Sequence, residues 1–200
     1  MKQLFTLLLI CGPGLLFAQK MPDYGIHQIR LNDTDKTIRA EIQPVTSMPN
    51  VHAELTYYWY GTGSIHQLQG GFSGQLLNGS YEEYYINKNL KTQGVFEKGL
   101  KNGVWKEWDE SGKLTRQLTW ENGSWSGPFT LYNAHGQVAQ SGRYLDNQLD
   151  GLVSFNAGTD SARTLRYKKG HVVPPKSGTF LKRINIFKKK KKAPEVKPAS

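Results

Sequence analysis

The feature that most constrains this chain is a 24-residue period running from Asn78 to Leu149, in which each unit opens with a glycine two residues before an aromatic. The glycines are Gly79, Gly103 and Gly127, with a fourth at Gly151. One step of the period carries Tyr81 to Trp105 to Phe129, Tyr84 to Trp108 to Tyr132, and Phe96 to Trp120 to Tyr144. Three aromatic columns held in register mark a repeat architecture, in which a unit buries its apolar face against its neighbours instead of in one central core.

Within a unit the local signals are those of a β-hairpin. Trp105 to Trp108 and Leu114 to Trp120 are strand-like and separated by Asp109-Glu110-Ser111-Gly112, and Asn122-Gly123 turns the chain into the next unit. Leu114, Arg116, Leu118 and Trp120 alternate with Thr115, Gln117 and Thr119, which places the apolar members on one face. No helical period competes across residues 20–172. The expected fold is all-β: an elongated single-layer antiparallel meander, two strands per repeat, whose large aromatics cover one another from unit to unit.

The flanks extend the pattern. Tyr57, Tyr60 and Phe72 lie one period before Tyr81, Tyr84 and Phe96, so 54–77 reads as a divergent repeat. Gly151, Phe155 and Tyr167 continue it as a degenerate closing unit, with Tyr167 one residue early. The array therefore spans 54–172, in units of about 54–77, 78–101, 102–125, 126–149 and 150–172. Residues 19–53 are expected to form an N-terminal hairpin cap and linker, with Ile26 to Leu31 and Thr37 to Ile42 turning at Asn32-Asp33-Thr34-Asp35, before Pro44 and Pro49 interrupt pairing.

Lys2, the apolar run Leu4 to Ile10, a Gly12-Pro13-Gly14 break and Leu15 to Ala18 read as a secretory signal over 1–18, too short to span a bilayer. The mature chain is thus expected to be exported to the periplasm, the envelope or the medium. Cys11, the one cysteine, lies inside that leader, so simple cleavage, preferred over lipidation of Cys11, leaves no thiol for a disulfide, thiol catalysis or a thiolate metal site. The formal charge of +10 is a property of the tail. Residues 19–162 carry 12 Lys and Arg against 15 Asp and Glu, whereas 163–200 carry 13 against 1. In the segment 173–200, Pro174-Pro175 ends the repeats, and Phe180, Leu181, Ile184 and Phe187 fit one short amphipathic helical face before Lys188, Lys189, Lys190, Lys191 and Lys192. Two readings stay open for it. One is contact with an anionic membrane surface, at about 1 kcal/mol per lysine; the other is a disordered, solvated tail. Export argues against a nucleic-acid partner.

The run Gly103-Val104-Trp105-Lys106-Glu107-Trp108, then Ser111-Gly112-Lys113-Leu114 and Trp120-Glu121-Asn122-Gly123, resembles the bacterial variant of the MORN repeat. The same frame recurs in Gly79-Ser80-Tyr81-Glu82-Glu83-Tyr84-Tyr85 with Phe96-Glu97-Lys98-Gly99. The resemblance covers about 54–172 and implies an elongated array of β-hairpins with no catalytic residues. Many bacterial proteins of this kind carry an antitoxin label of the YwqK type, which implies an inhibitor of a partner protein.

Chemistry is sparse. Glu83 and Glu107 are repeat-equivalent and could project from one face roughly 10 Å apart, at the edge of the about 6.5–9.5 Å that suits an inverting glycosidase. Periodicity alone generates that pair, and the favoured reading is a consensus glutamate paired with lysines such as Lys106. His27, His52, His66, His135 and His171 follow no metal-ligand spacing, no nucleophile elbow is present, and no cofactor is expected. The in-register aromatics are expected to form the core, while Tyr58, Tyr85 and Trp125 stand outside those columns and are the candidate partner contacts. The expected function is a non-enzymatic scaffold binding an unidentified protein or envelope component. A carbohydrate-binding or glycan-acting protein using exposed aromatics is the competing class.

Overall fold

The computed structural model describes residues 28–45 and 47–174; the leader with Cys11 and the basic segment from Phe180 to Lys192 lie outside the described residues. The described chain is all-β. Its strands are β1 (Gln28–Asn32), β2 (Lys36–Glu41), β3 (Thr56–Gly61), β4 (Ser64–Gln69), β5 (Gln75–Leu76), β6 (Gly79–Tyr85), β7 (Leu90–Glu97) and β8 (Leu100–Trp108). There follow β9 (Leu114–Glu121), β10 (Ser124–Tyr132), β11 (Val138–Leu145), β12 (Gln148–Leu149), β13 (Gly151–Phe155), β14 (Arg163–Lys168) and β15 (His171–Val173).

A 12-stranded antiparallel meander runs β1-β2-β6-β7-β8-β9-β10-β11-β13-β14-β15, with β12 on β11. The expected N-terminal hairpin is β1–β2, turning over Asp33 to Asp35, and β2 pairs directly with β6 through Arg39 opposite Glu82. The unit at 54–77 does form a hairpin, but its place differs from the expectation. β3 and β4 belong with β5 to a separate three-stranded sheet, because β2 already occupies the edge of β6 that a continuing repeat would need. This hairpin is tied in at the end of the meander: Tyr58 N–H donates to Gly99 O at 2.8 Å, Leu77 N–H to Tyr58 O at 3.0 Å and Gly99 N–H to Leu77 O at 2.7 Å. Tyr58, Tyr60 and Ile65 then rest on Ile38, Tyr81, Phe96 and Trp105, so the first repeats gain a local second layer.

The register sets the glycine that opens each unit opposite an aromatic. Phe96 stands opposite Gly79, Trp120 opposite Gly103, Tyr144 opposite Gly127 and Tyr167 opposite Gly151. All four glycines have positive φ, at 122°, 67°, 127° and 86°, a backbone state that side chains other than glycine rarely adopt. At two of them a side chain is also shut out by a neighbour, since a Cβ on Gly79 would run into Glu41 and one on Gly127 into Thr119. Tyr167 keeps this pairing although it is one residue early, since the preceding connection from Asn156 to Ala162 sets the register anew.

The core follows the other column. Tyr81, Trp105, Phe129 and Val153 are all buried, as is Phe96, whereas Trp120 and Tyr144 are half-buried. Tyr81, Phe96 and Trp105 pack as one cluster with ring centroids 4.9–5.6 Å apart, and Phe129 and Tyr144 lie 4.7 Å apart further along the sheet. Turns repeat with the period as well. Gly123 N–H donates to Lys101 O and Asn147 N–H to Trp125 O, each at 2.9 Å, so each turn is fastened to the unit before it.

Candidate functional site

The excursion of β3 and β4 leaves an open cleft of about 370 Å³ between that hairpin and the inner face of the meander. Adjacent strand residues point to opposite faces, so β6 sends Tyr81 and Glu83 into it and β8 sends Trp105 and Glu107. Tyr58 and Ile65 close it from the hairpin side, and Lys101 enters beside the turn at Lys98-Gly99.

Its carboxylates are engaged. Glu83 receives Lys91 Nζ at 2.8 Å and the Tyr81 hydroxyl at 2.9 Å, with Lys36 Nζ 3.9 Å away. Burial alone would raise its pKa, but the hydrogen bonds from Lys91 and Tyr81 and the nearby lysine charges outweigh that and hold the carboxyl below the usual range. Glu107 takes Arg116 Nε at 2.6 Å, directly across the β8–β9 ladder. Lys106, expected from the sequence to be the glutamates' partner, faces the other way. It pairs with Gln117 on the opposite side of the sheet, as the residue next to Glu107 in a strand must. The Tyr81 phenol is pushed well above its ordinary value, first by burial and then by the charge of Glu83, and burial raises Tyr58 too. Both are neutral hydroxyls at ordinary pH.

Lys101 is the residue that sequence reasoning missed. Its Nζ sits 4.3 Å from the ring centroid of Trp105, 5.0 Å from that of Trp120 and 5.7 Å from that of Tyr58. Burial pushes its ammonium below the usual lysine range; the charges of Glu107 and Glu83 oppose this and Arg116 assists it. The signal was in the period: Leu77, Lys101, Trp125 and Leu149 are repeat-equivalent, and Lys101 is the one charge in that column.

The three candidate contacts do not converge. Tyr58 lines the cleft, with its ring 4.9 Å from Phe96. Tyr85 lies at the other end of β6, where its hydroxyl donates to Trp108 O at 2.9 Å and Lys91 Nζ stands 5.5 Å from its ring. Trp125 packs between Trp120 and Tyr144, and its buried Nε1 has no acceptor among the described residues. Half-buried rings at all three positions carry packing as well as exposed surface. Among the described residues no group of three His, Cys, Asp or Glu is placed to hold a metal ion, and no helix is long and apolar enough to cross a membrane.

No protein-family model matches the chain, and neither does any curated protein or solved structure.

Proposed function

We propose that this chain is an exported, non-catalytic repeat protein of the MORN-like kind that binds a partner protein or an envelope component, with the cleft beneath the β3–β4 hairpin as its principal contact. The observation that carries this reading is the cleft itself. It arises where one repeat leaves the meander, and it sets aromatic rings and one caged cation against an open groove. Concave sites lined by aromatics with a few convergent polar groups are where ligands and partner side chains seat.

The glycan-acting alternative needs one of Glu83 and Glu107 protonated as a general acid. The cations on both, and the lowered pKa of Glu83, favour the binding reading. The basic segment at 188–192 would add reversible contact with an anionic surface, at about 1 kcal/mol per lysine.

The test uses the chain from Gln19 to Ser200, immobilised and challenged with a solubilised native envelope fraction. One partner should be retained by the wild type and by the pair Glu83→Gln and Glu107→Gln, and lost with Tyr58→Ala combined with Ile65→Ala. Polysaccharide hydrolysis by the wild type that disappears with either glutamine variant would replace this reading with the enzymatic one.

A further inference from the structure

Four cations surround the cleft, and three of them already have a carboxylate. Lys36 and Lys91 share Glu83, and Arg116 takes Glu107. Lys101 has neither a carboxylate within 4.0 Å nor a hydrogen-bond acceptor among the described residues, and the rings of Trp105, Trp120 and Tyr58 stand against its Nζ. Rings attract a cation through their quadrupole but leave its three N–H donors without lone pairs to bind. Among the described residues the side-chain polar atom sealed from solvent without a partner is Trp125 Nε1, so Lys101 Nζ keeps some solvent contact, and Lys101 lines the cleft.

We propose that the cleft binds the carboxylate of an acidic peptide segment, seated on Lys101 Nζ beside the ring of Tyr58. This rests on the scaffold reading above and names what the partner presents. Contact geometry selects the ligand: Lys36 and Lys91 stand on Glu83 and Arg116 on Glu107, so Lys101 is the cation of this group left without a carboxylate, and one carboxylate from a peptide side chain completes it. The groove is open along its length, with Gln67 on one wall and Thr92 on the other able to bond a peptide backbone. A hydrogen bond between two charged groups is shorter and stronger than a neutral one, and the shielding of Lys101 by its rings keeps solvent from screening it.

The experiment follows the indole N–H resonances of Trp105 and Trp120 in the chain from Gln19 to Ser200. It titrates the capped peptide acetyl-Gly-Gly-Asp-Gly-Gly-amide, its Asn counterpart and inorganic phosphate. The Asp peptide should shift both indoles saturably. Affinity should fall about tenfold or more with the Asn peptide and with Lys101→Met, and be partly kept in Lys101→Arg. Equal binding of the Asp and Asn peptides, undiminished binding to Lys101→Met, or tighter binding of phosphate would each overturn the proposal; the peptide comparison does so in the wild-type chain even if a variant fails to fold. Partner capture that survives Lys101→Met and excess Asp peptide overturns the carboxylate site while leaving the scaffold standing. Saturable Asp-peptide binding without any captured partner does the reverse.

Discussion

Gly94→Ala tests whether the aromatic stack depends on a missing side chain. Gly94 lies in β7 with ordinary strand backbone, so alanine there would by itself stabilise the fold by about 0.4–1 kcal/mol through the unfolded chain. Its Cβ, however, would stand 2.2 Å from Trp105 Cδ2 and 2.3 Å from Cε2, where ordinary contact begins at 3.4 Å, so the indole must withdraw by about 1.2 Å. It has nowhere to go. Trp105 is 3% exposed, Tyr81 and Phe96 flank it at 5.6 and 4.9 Å, and its Nε1–H is shared by Val95 O and Asn102 O, both at 3.2 Å. Overpacking of this kind costs about 1–3 kcal/mol, and expelling the ring altogether would cost about 3–5. After the backbone gain, a net loss of about 2 kcal/mol is expected, read by urea unfolding followed in the far-ultraviolet circular dichroism. In a Trp105→Leu background the clash disappears and Gly94→Ala should become neutral or slightly stabilising, a coupling of about 2 kcal/mol. Equal costs in the two backgrounds would refute the reasoning.

Glu83→Gln should flatten the acid limb of stability. The folded-state pKa of Glu83 lies below its unfolded value of about 4.3, so its contribution is complete above that value and is lost as pH falls through the folded one. Melting temperatures from about pH 6 down to pH 3 should therefore fall less in the variant than in the wild type. Lys101→Met should have the opposite flavour. The ammonium is disfavoured in the folded chain, so the unfolded state binds more protons as the lysine titrates, and stability from this group rises with pH through that window. The methionine variant loses that alkaline rise and should match or exceed the wild type by up to about 1 kcal/mol at neutral pH, as thermal melts would show. Tyr85→Phe removes the bond to Trp108 O and should cost about 0.5–1.5 kcal/mol in denaturant titrations, without weakening Asp-peptide binding at the distant cleft.

Much of the fold could be read along the chain because its main contacts join neighbouring hairpins. The period already set Phe96, Trp120 and Tyr144 in one column and the alternation in β9 already put Leu118 and Trp120 on one face, while the pairing of that column with Gly79, Gly103 and Gly127 came from the strand register. The candidate site was less legible. Lys106 was expected beside Glu107, but neighbours along a strand diverge, and Arg116 across the ladder took its place. Tyr58, Tyr85 and Trp125 were singled out for breaking the columns, yet Lys101 breaks its own column more sharply, as a charge among Leu77, Trp125 and Leu149.

The sequence by itself determined the all-β class, the 24-residue unit, its turns and the columns that stack, since hairpin pairing and side-chain alternation are local and repeat with the period. Only the tertiary structure decided that the unit at 54–77 leaves the meander. That outcome depends on competition for one strand edge: β2, far away in sequence, pairs with β6 and leaves β3 to lie across the face. The cleft and the caging of Lys101 by Tyr58, Trp105 and Trp120 follow from that single choice, and no period within the chain encodes it.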